Sequence, residues 1–203
     1  EGELVHVIGV ESVPSEGISR GRIIDKIRVK SAISALLDLF EKEYEIRIDA
    51  LHVALSAVYF RQMTDRETLS FSRPQEIGWQ ELSELKQKCR RMANNPEEPP
   101  FAILPYTYKV DRELCLDPIG YQARRIEADF RVYTSRDREL REIREILASV
   151  GVEKVAFFPA GEALMRAVYL QGEAEFALID FGGETTKIIL VTDGLLNRDV
   201  ELP

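Results

Sequence analysis

Side chains with distinctive chemistry are scarce in this chain of 203 residues: two cysteines, two histidines and one tryptophan. Cys89 and Cys115 form no CxxC pair and have no neighbouring histidine, which excludes a zinc ribbon or a thioredoxin-type redox motif. His6 and His52 lie inside apolar runs and read as core or edge histidines rather than catalytic ones. No glycine-flanked serine elbow accompanies them, so a Ser/His/Asp hydrolase is not indicated. Positive charge is also in deficit, with 27 Lys and Arg against 35 Asp and Glu. A net charge of −8 argues against a nucleic-acid partner, because neutralising phosphates requires clustered cations. The one basic cluster, Lys86 to Arg91, falls on a helical pattern with Glu81 and Glu84 and reads as a solvated face. No run approaches the ~18 apolar residues of a membrane span. No signal peptide is read, and a reducing, cytoplasmic compartment is expected.

What is present is ordinary for a globular domain: 45% hydrophobic and 31% charged residues, which excludes a disordered or collagen-like chain. The pattern alternates between periods of two and of three to four. Leu4 to Val10 is an apolar run that reads as a buried strand, followed by a loop at Val13-Pro14-Ser15-Glu16-Gly17. From Lys26 to Glu45, Val29, Ile33, Leu36, Leu37 and Phe40 share one helical face. Asp49 to Ser56 reads as a central strand. Val58–Gln62 and Thr68–Ser72 are expected to pair around a polar turn at Thr64-Asp65-Arg66. A helix is expected from Trp79 to Ala93, with Leu82, Leu85 and Cys89 inward, and a proline-rich loop from Asn94 to Pro100 stops it. Phe101 to Val110 follows as a strand, with Tyr106 and Tyr108 on one face, and then a long alternating strand from Arg125 to Tyr133. Helix 138–150 closes at Gly151. Strand 154–158, helix 161–170, strands 176–181 and 187–192, and a turn at Asp193-Gly194 into 195–202 complete the chain. Trp79 either caps its helix or is an exposed contact residue. The strand-like runs near both ends, and the start at Glu1 rather than methionine, are expected of a trimmed piece of a longer protein.

The sharpest local signal is Asp180-Phe181-Gly182-Gly183-Glu184-Thr185-Thr186, which places two glycines and two hydroxyl residues between two strands. Glycines let backbone amides approach an anion, and threonine hydroxyls can donate to phosphate oxygens. An aspartate at a strand end can hold a metal or its water. A plain hairpin uses the same residues, and both readings stand on the residues alone.

This segment resembles the second phosphate loop of the actin, sugar-kinase and heat-shock-chaperone ATPase superfamily, which usually reads Asp-x-Gly-Gly-Gly-Thr-x-Asp. A narrower resemblance spans nearly the whole chain. Val7-Ile8-Gly9-Val10 through Val13-Pro14-Ser15-Glu16-Gly17-Ile18 and Gly21, then Leu51 to Ser56, Leu104 to Asp111, Asp117-Pro118-Ile119-Gly120 and Arg125-Ile126-Glu127-Ala128, match in order the FtsA family of bacterial cell-division proteins. The resemblance implies a mixed α/β fold. Residues 1–56 and 134–203 would form the ribonuclease-H-like actin subdomain 1A, interrupted at 57–133 by a small α/β insertion, subdomain 1C. It implies ATP and Mg in the intact family, held here by Asp180, Gly182, Gly183, Thr185 and Thr186, with no catalytic residue and no metal ligand assigned. The piece alone is expected to bind neither. It also implies FtsZ as a partner through a region outside this chain, and a C-terminal helix outside it that reaches the inner face of the cytoplasmic membrane at the division site. Subdomain 1C would supply contacts with other division proteins and self-association, for which the edge near Leu4 to Val10 is a second candidate. Glu184 replaces a glycine of the superfamily loop, and Lys187 replaces its aspartate. The alternatives are a scaffold like the pilus protein PilM, disfavoured by Val13 to Gly17, and a sugar kinase, for which no catalytic aspartate is seen.

Overall fold

The computed structural model describes residues 6–168, 175–192 and 195–202. Its elements begin with a minimal hairpin, β1 (Ile18–Ser19) and β2 (Arg22–Ile23). Arg20 and Gly21 at its tip have φ of 47° and 72°, the left-handed pair that a two-residue hairpin turn demands. Helix α1 (Lys26–Tyr44) starts where the Asp25 carboxylate accepts from the Ile27 and Arg28 amides, and it ends at Glu45 in the left-handed region. Strand β3 (Ala50–Leu55) and a 3-10 turn at Ala57–Tyr59 follow.

The middle of the chain forms a four-stranded antiparallel sheet from β4 (Arg61–Glu76), β5 (Pro100–Val110), β6 (Glu113–Cys115) and β7 (Gln122–Thr134), in the order β4-β7-β5-β6. Helix α2 (Trp79–Met92) packs on one face. Its start is fixed by the Glu81 carboxylate, which accepts from the Gly78 amide at 2.9 Å; glycine has no side chain to complete a reciprocal capping box. Leu85 and Cys89 then point inward against Leu69, Ile103, Ile126, Phe130 and Val132, as the helical period requires.

The remaining elements are α3 (Asp137–Ala148), β8 (Lys154–Pro159), α4 (Ala160–Val168), β9 (Phe176–Phe181), β10 (Thr186–Thr192) and β11 (Leu195–Leu202). β3 pairs in parallel with β8, and Leu140, Ile143 and Leu147 of α3 bury against this pair with Ile33 and Leu37 of α1. β9, β10 and β11 form a separate antiparallel sheet in the order β11-β10-β9, with Met165 of α4 against Ile189, Val191 and Leu196.

Several expectations are corrected. Residues 6–10 form no strand: Val7, Ile8 and Val10 are exposed and lack a ladder partner among the described residues, so hydrophobicity alone does not make a strand. Leu4 and Val5 lie outside the described residues. β3 is not central among the described residues, since β8 is its one ladder neighbour. The hairpin expected around Thr64-Asp65-Arg66 is one continuous 16-residue strand, β4. Its polar residues belong to an edge, and Thr64, Asp65 and Arg66 each find a cross-strand neighbour on β7; the Arg66 guanidinium pairs with Asp129 in two contacts, one at 3.0 Å. β7 alternates only at its start and is buried on both faces from Ala128 to Thr134, because β4 and β5 flank it and both of its faces are covered. Tyr106 and Tyr108 do not share a face. The register slips between Pro105 and Thr107, so Tyr108 joins the core under α2 while the Arg131 guanidinium lies 5.0 Å from the Tyr106 ring centroid. The turn at Asp193-Gly194 and the end of the expected helix at Tyr169 and Leu170 lie outside the described residues.

Candidate functional site

The apolar run of β9 and the β-branched residues of β10 favour strands, and the short connection from Gly182 to Thr185 makes them an antiparallel hairpin. The Gly182 amide donates to the Thr185 carbonyl at 2.9 Å. A Cβ at Gly182 would stand 2.8 Å from that carbonyl oxygen, so the glycine serves the closure of the turn. Gly183 opens onto free space. Neither glycine adopts positive φ. Asp180, Lys187 and Glu201 lie opposite one another across β9, β10 and β11, which puts all three on one face of the sheet.

Thus Asp180, Gly182, Gly183, Thr185 and Thr186 do come together at one end of this sheet, but the Thr185 hydroxyl and the Gly182 amide are already taken by partners within the chain. The Thr185 hydroxyl donates to Glu201 Oε1 at 2.9 Å, and the Gly182 amide is used within the turn. Glu184 extends its carboxylate to the β1–β2 turn, where the Arg20 amide and the Ser19 hydroxyl donate to it. Asp180 is exposed at the rim. A triphosphate placed here would meet the carboxylates of Glu184 and Glu201, which already hold the Thr185 hydroxyl and the β1–β2 turn, so ATP with Mg does not fit the loop in this arrangement.

Behind the hairpin lies a polar junction that sequence reasoning missed. Arg131 Nη1 contacts Glu162 Oε1 at 2.8 Å, with both side chains under 10% exposed, and the Tyr133 hydroxyl donates to the same oxygen at 2.7 Å. Burial, then the neighbouring Glu162 charge, pushes the Tyr133 phenol well above its usual range. This joins β7 of the four-stranded sheet to the first turn of α4. On the other side of that turn, the Asp199 carboxylate sits so close to Gly161 that any Cβ there would collide with it. Burial raises the Asp199 pKa, Glu201 and Glu162 raise it further, and Lys187 and the Gly161 amide oppose the shift. Its Oδ1 has no hydrogen-bond partner among the described residues. A detectable sign was available for Asp199 and Glu201: acidic residues at every second position of a strand, on the face that carries Ile189 on its neighbour. For Arg131 and Glu162 no local sign exists. Cys89 is buried and its thiol is pushed up to about 12, by burial first and then by Asp65, so it is a packing residue and not a nucleophile.

Residues 59–134 match the family described as the SHS2 domain inserted in FTSA. The chain is 23% identical over 203 residues to Cell division protein FtsA of Escherichia coli (strain K12), covering 98% of this chain and 48% of that one. It is 27% identical to the protein of the same name from Enterococcus faecalis, covering 95% and 44%. This chain is similar to FtsA over nearly its whole length. It spans about half the length of the curated FtsA relatives that it matches. Among solved structures, the PilM-PilN type IV pilus biogenesis complex matches 95% of this chain and 52% of that one, with a TM-score of 0.51 at 17% identity. That likeness speaks to fold, and with the FtsA match it gives a mixed α/β, actin-like fold carrying an insertion.

Proposed function

We propose that the chain is part of an FtsA-like cell-division scaffold that works at the division site on the inner face of the cytoplasmic membrane. The observation that carries this reading is the alignment of almost the whole chain with FtsA, together with the FtsA-type insertion at residues 59–134. In this reading residues 1–56 and 134–203 belong to the actin-type body, with β9–β11 as a sheet of their own, and residues 57–133 are the inserted subdomain. The insertion makes contacts with other division proteins and with further copies, and the intact protein links FtsZ filaments to the membrane. Two features support a contact role. β4 has no strand partner on its outer edge among the described residues, and Trp79, Leu114 and Leu116 expose apolar surface on the same unit. ATP and Mg belong to the intact family, and this chain by itself is a scaffold piece rather than an ATPase.

The test is the position of the protein in dividing cells. A fluorescent fusion of the full-length protein should form a band at mid-cell, and its depletion should give filaments that fail to divide. A uniform distribution with normal division would refute the proposal. The likeness to the PilM-PilN complex favours a second reading, a pilus-assembly scaffold. Loss of pili with division unimpaired would select it.

A further inference from the structure

Two of the carboxylates at the glycine hairpin, Glu184 and Glu201, are engaged through both oxygens. Glu184 Oε1 accepts from the Ser19 hydroxyl at 3.1 Å, and Oε2 accepts from the Arg20 amide at 2.6 Å. Glu201 Oε1 accepts from the Thr185 hydroxyl at 2.9 Å, and Oε2 accepts from the Ser56 hydroxyl. Four oxygens thus meet four donors from the β1–β2 turn, the end of β3 and the glycine hairpin. Three are hydroxyls and one is a backbone amide, the neutral donors from which anion-binding turns are built. The approach is specified locally. Gly21 has φ of 72°, and a Cβ there would lie 2.9 Å from the Ser56 hydroxyl oxygen, so a side chain at this point would push β3 away from the turn.

We infer that Glu184 and Glu201 form a carboxylate clasp that holds the glycine hairpin shut from within, an internal anion in the place where an actin-type loop takes the phosphates of Mg-ATP. The clasp ties together segments up to 165 residues apart, Ser19 and Glu184, and leaves the hairpin as a structural joint. Only the identity of the displaced ligand rests on the actin-type reading of the proposed function. The clasp itself rests on the contacts.

Two measurements on the full-length protein test this. Calorimetric titration with Mg-ATP should show no saturable binding up to ~1 mM, an affinity weaker than about 4 kcal/mol. Saturable binding below that concentration would overturn the displacement of nucleotide. Thermal unfolding of Glu184→Gln, Ser19→Ala and the double variant should show each single change lowering Tm by roughly 2–4 °C and the double change lowering it no further. Thr185→Ala with Glu201→Gln gives a second, independent cycle with the same expectation. Additive losses in both cycles would overturn the clasp. Neither measurement depends on a role in cell division, so failure of the cellular test would leave both results standing.

Discussion

The four-stranded sheet and the three-stranded sheet are built on opposite principles. β4–β7 bury a continuous apolar layer under α2, in which Ile77, Leu85, Ile126 and Val132 are fully enclosed. β9–β11 have a smaller apolar cluster under α4 and a row of charged residues, Asp180, Lys187 and Glu201, across the same face. Their other face leaves Ile179, Leu190, Val200 and Leu202 partly in solvent. The first unit therefore draws its stability from burial, at ~25 cal/mol per Å² of apolar area. The second depends on polar contacts between distant segments, which are worth less in net terms but specify geometry. A region of the first kind tolerates changes at its rim. A region of the second kind can lose its arrangement through a single side chain.

Five substitutions, in four experiments, break or sharpen this contrast. The largest effect is expected at the junction of the two units. Glu162→Leu leaves the Arg131 guanidinium buried without its partner, at a cost of about 3–5 kcal/mol in denaturant unfolding. Adding Arg131→Met should recover most of that loss, and failure to recover it would mean that the pair is held by packing alone. Leu85→Ala opens a cavity beneath α2 and should cost about 2–5 kcal/mol, with an unchanged denaturant slope if the four-stranded unit unfolds with the rest. Asp199→Asn probes the polar sheet through pH. The carboxyl of Asp199 has a raised pKa in the folded state, so the native form holds its proton more tightly than the unfolded form. Its contribution to stability is present at low pH and is lost as pH rises from the unfolded value through the raised one. The asparagine variant should therefore gain on the wild type across that window, and a difference independent of pH would contradict the assignment. The smallest effect is expected at Trp79, which is 77% exposed: Trp79→Ala should change stability by no more than ~0.5 kcal/mol, so any loss of partner binding reports on contact and not on folding.

The same contrast sets how far the sequence could be read. The helices were legible because their apolar period is local: Val29, Ile33 and Leu37, or Leu85 and Cys89, announce a face without reference to the rest of the chain. β4 was misread because Thr64-Asp65-Arg66 looks like a turn until β7 supplies partners from some 60 residues away, as Arg66 and Asp129 do. The exposed run at Val7 to Val10 failed for the converse reason, having strand-like residues but no ladder partner among the described residues. At the candidate site, the gathering of Asp180 to Thr186 into a hairpin followed from its glycines and flanking strands. What that hairpin touches did not, since Ser19 reaches Glu184 across 165 residues, and Glu201, which takes the Thr185 hydroxyl, is itself held by Ser56 from 145 residues away. The slip at Pro105 to Thr107, which sends Tyr106 and Tyr108 to opposite faces, has no sign in a pattern of period two.

The parallel pairing of β3 with β8 carries a kinetic consequence. Leu55 and Pro159 must meet across about 100 intervening residues, and a loop of that length closes slowly. Arg61 and Thr134, however, lie opposite each other at one end of the four-stranded sheet. Once that sheet has formed, the path from β3 to β8 shortens to about 30 residues, which lowers the closure cost by about 1 kcal/mol. The inserted unit is thus placed to fold first and to hand the two halves of the surrounding body to each other, so that an interruption in sequence becomes a shortcut in the order of assembly.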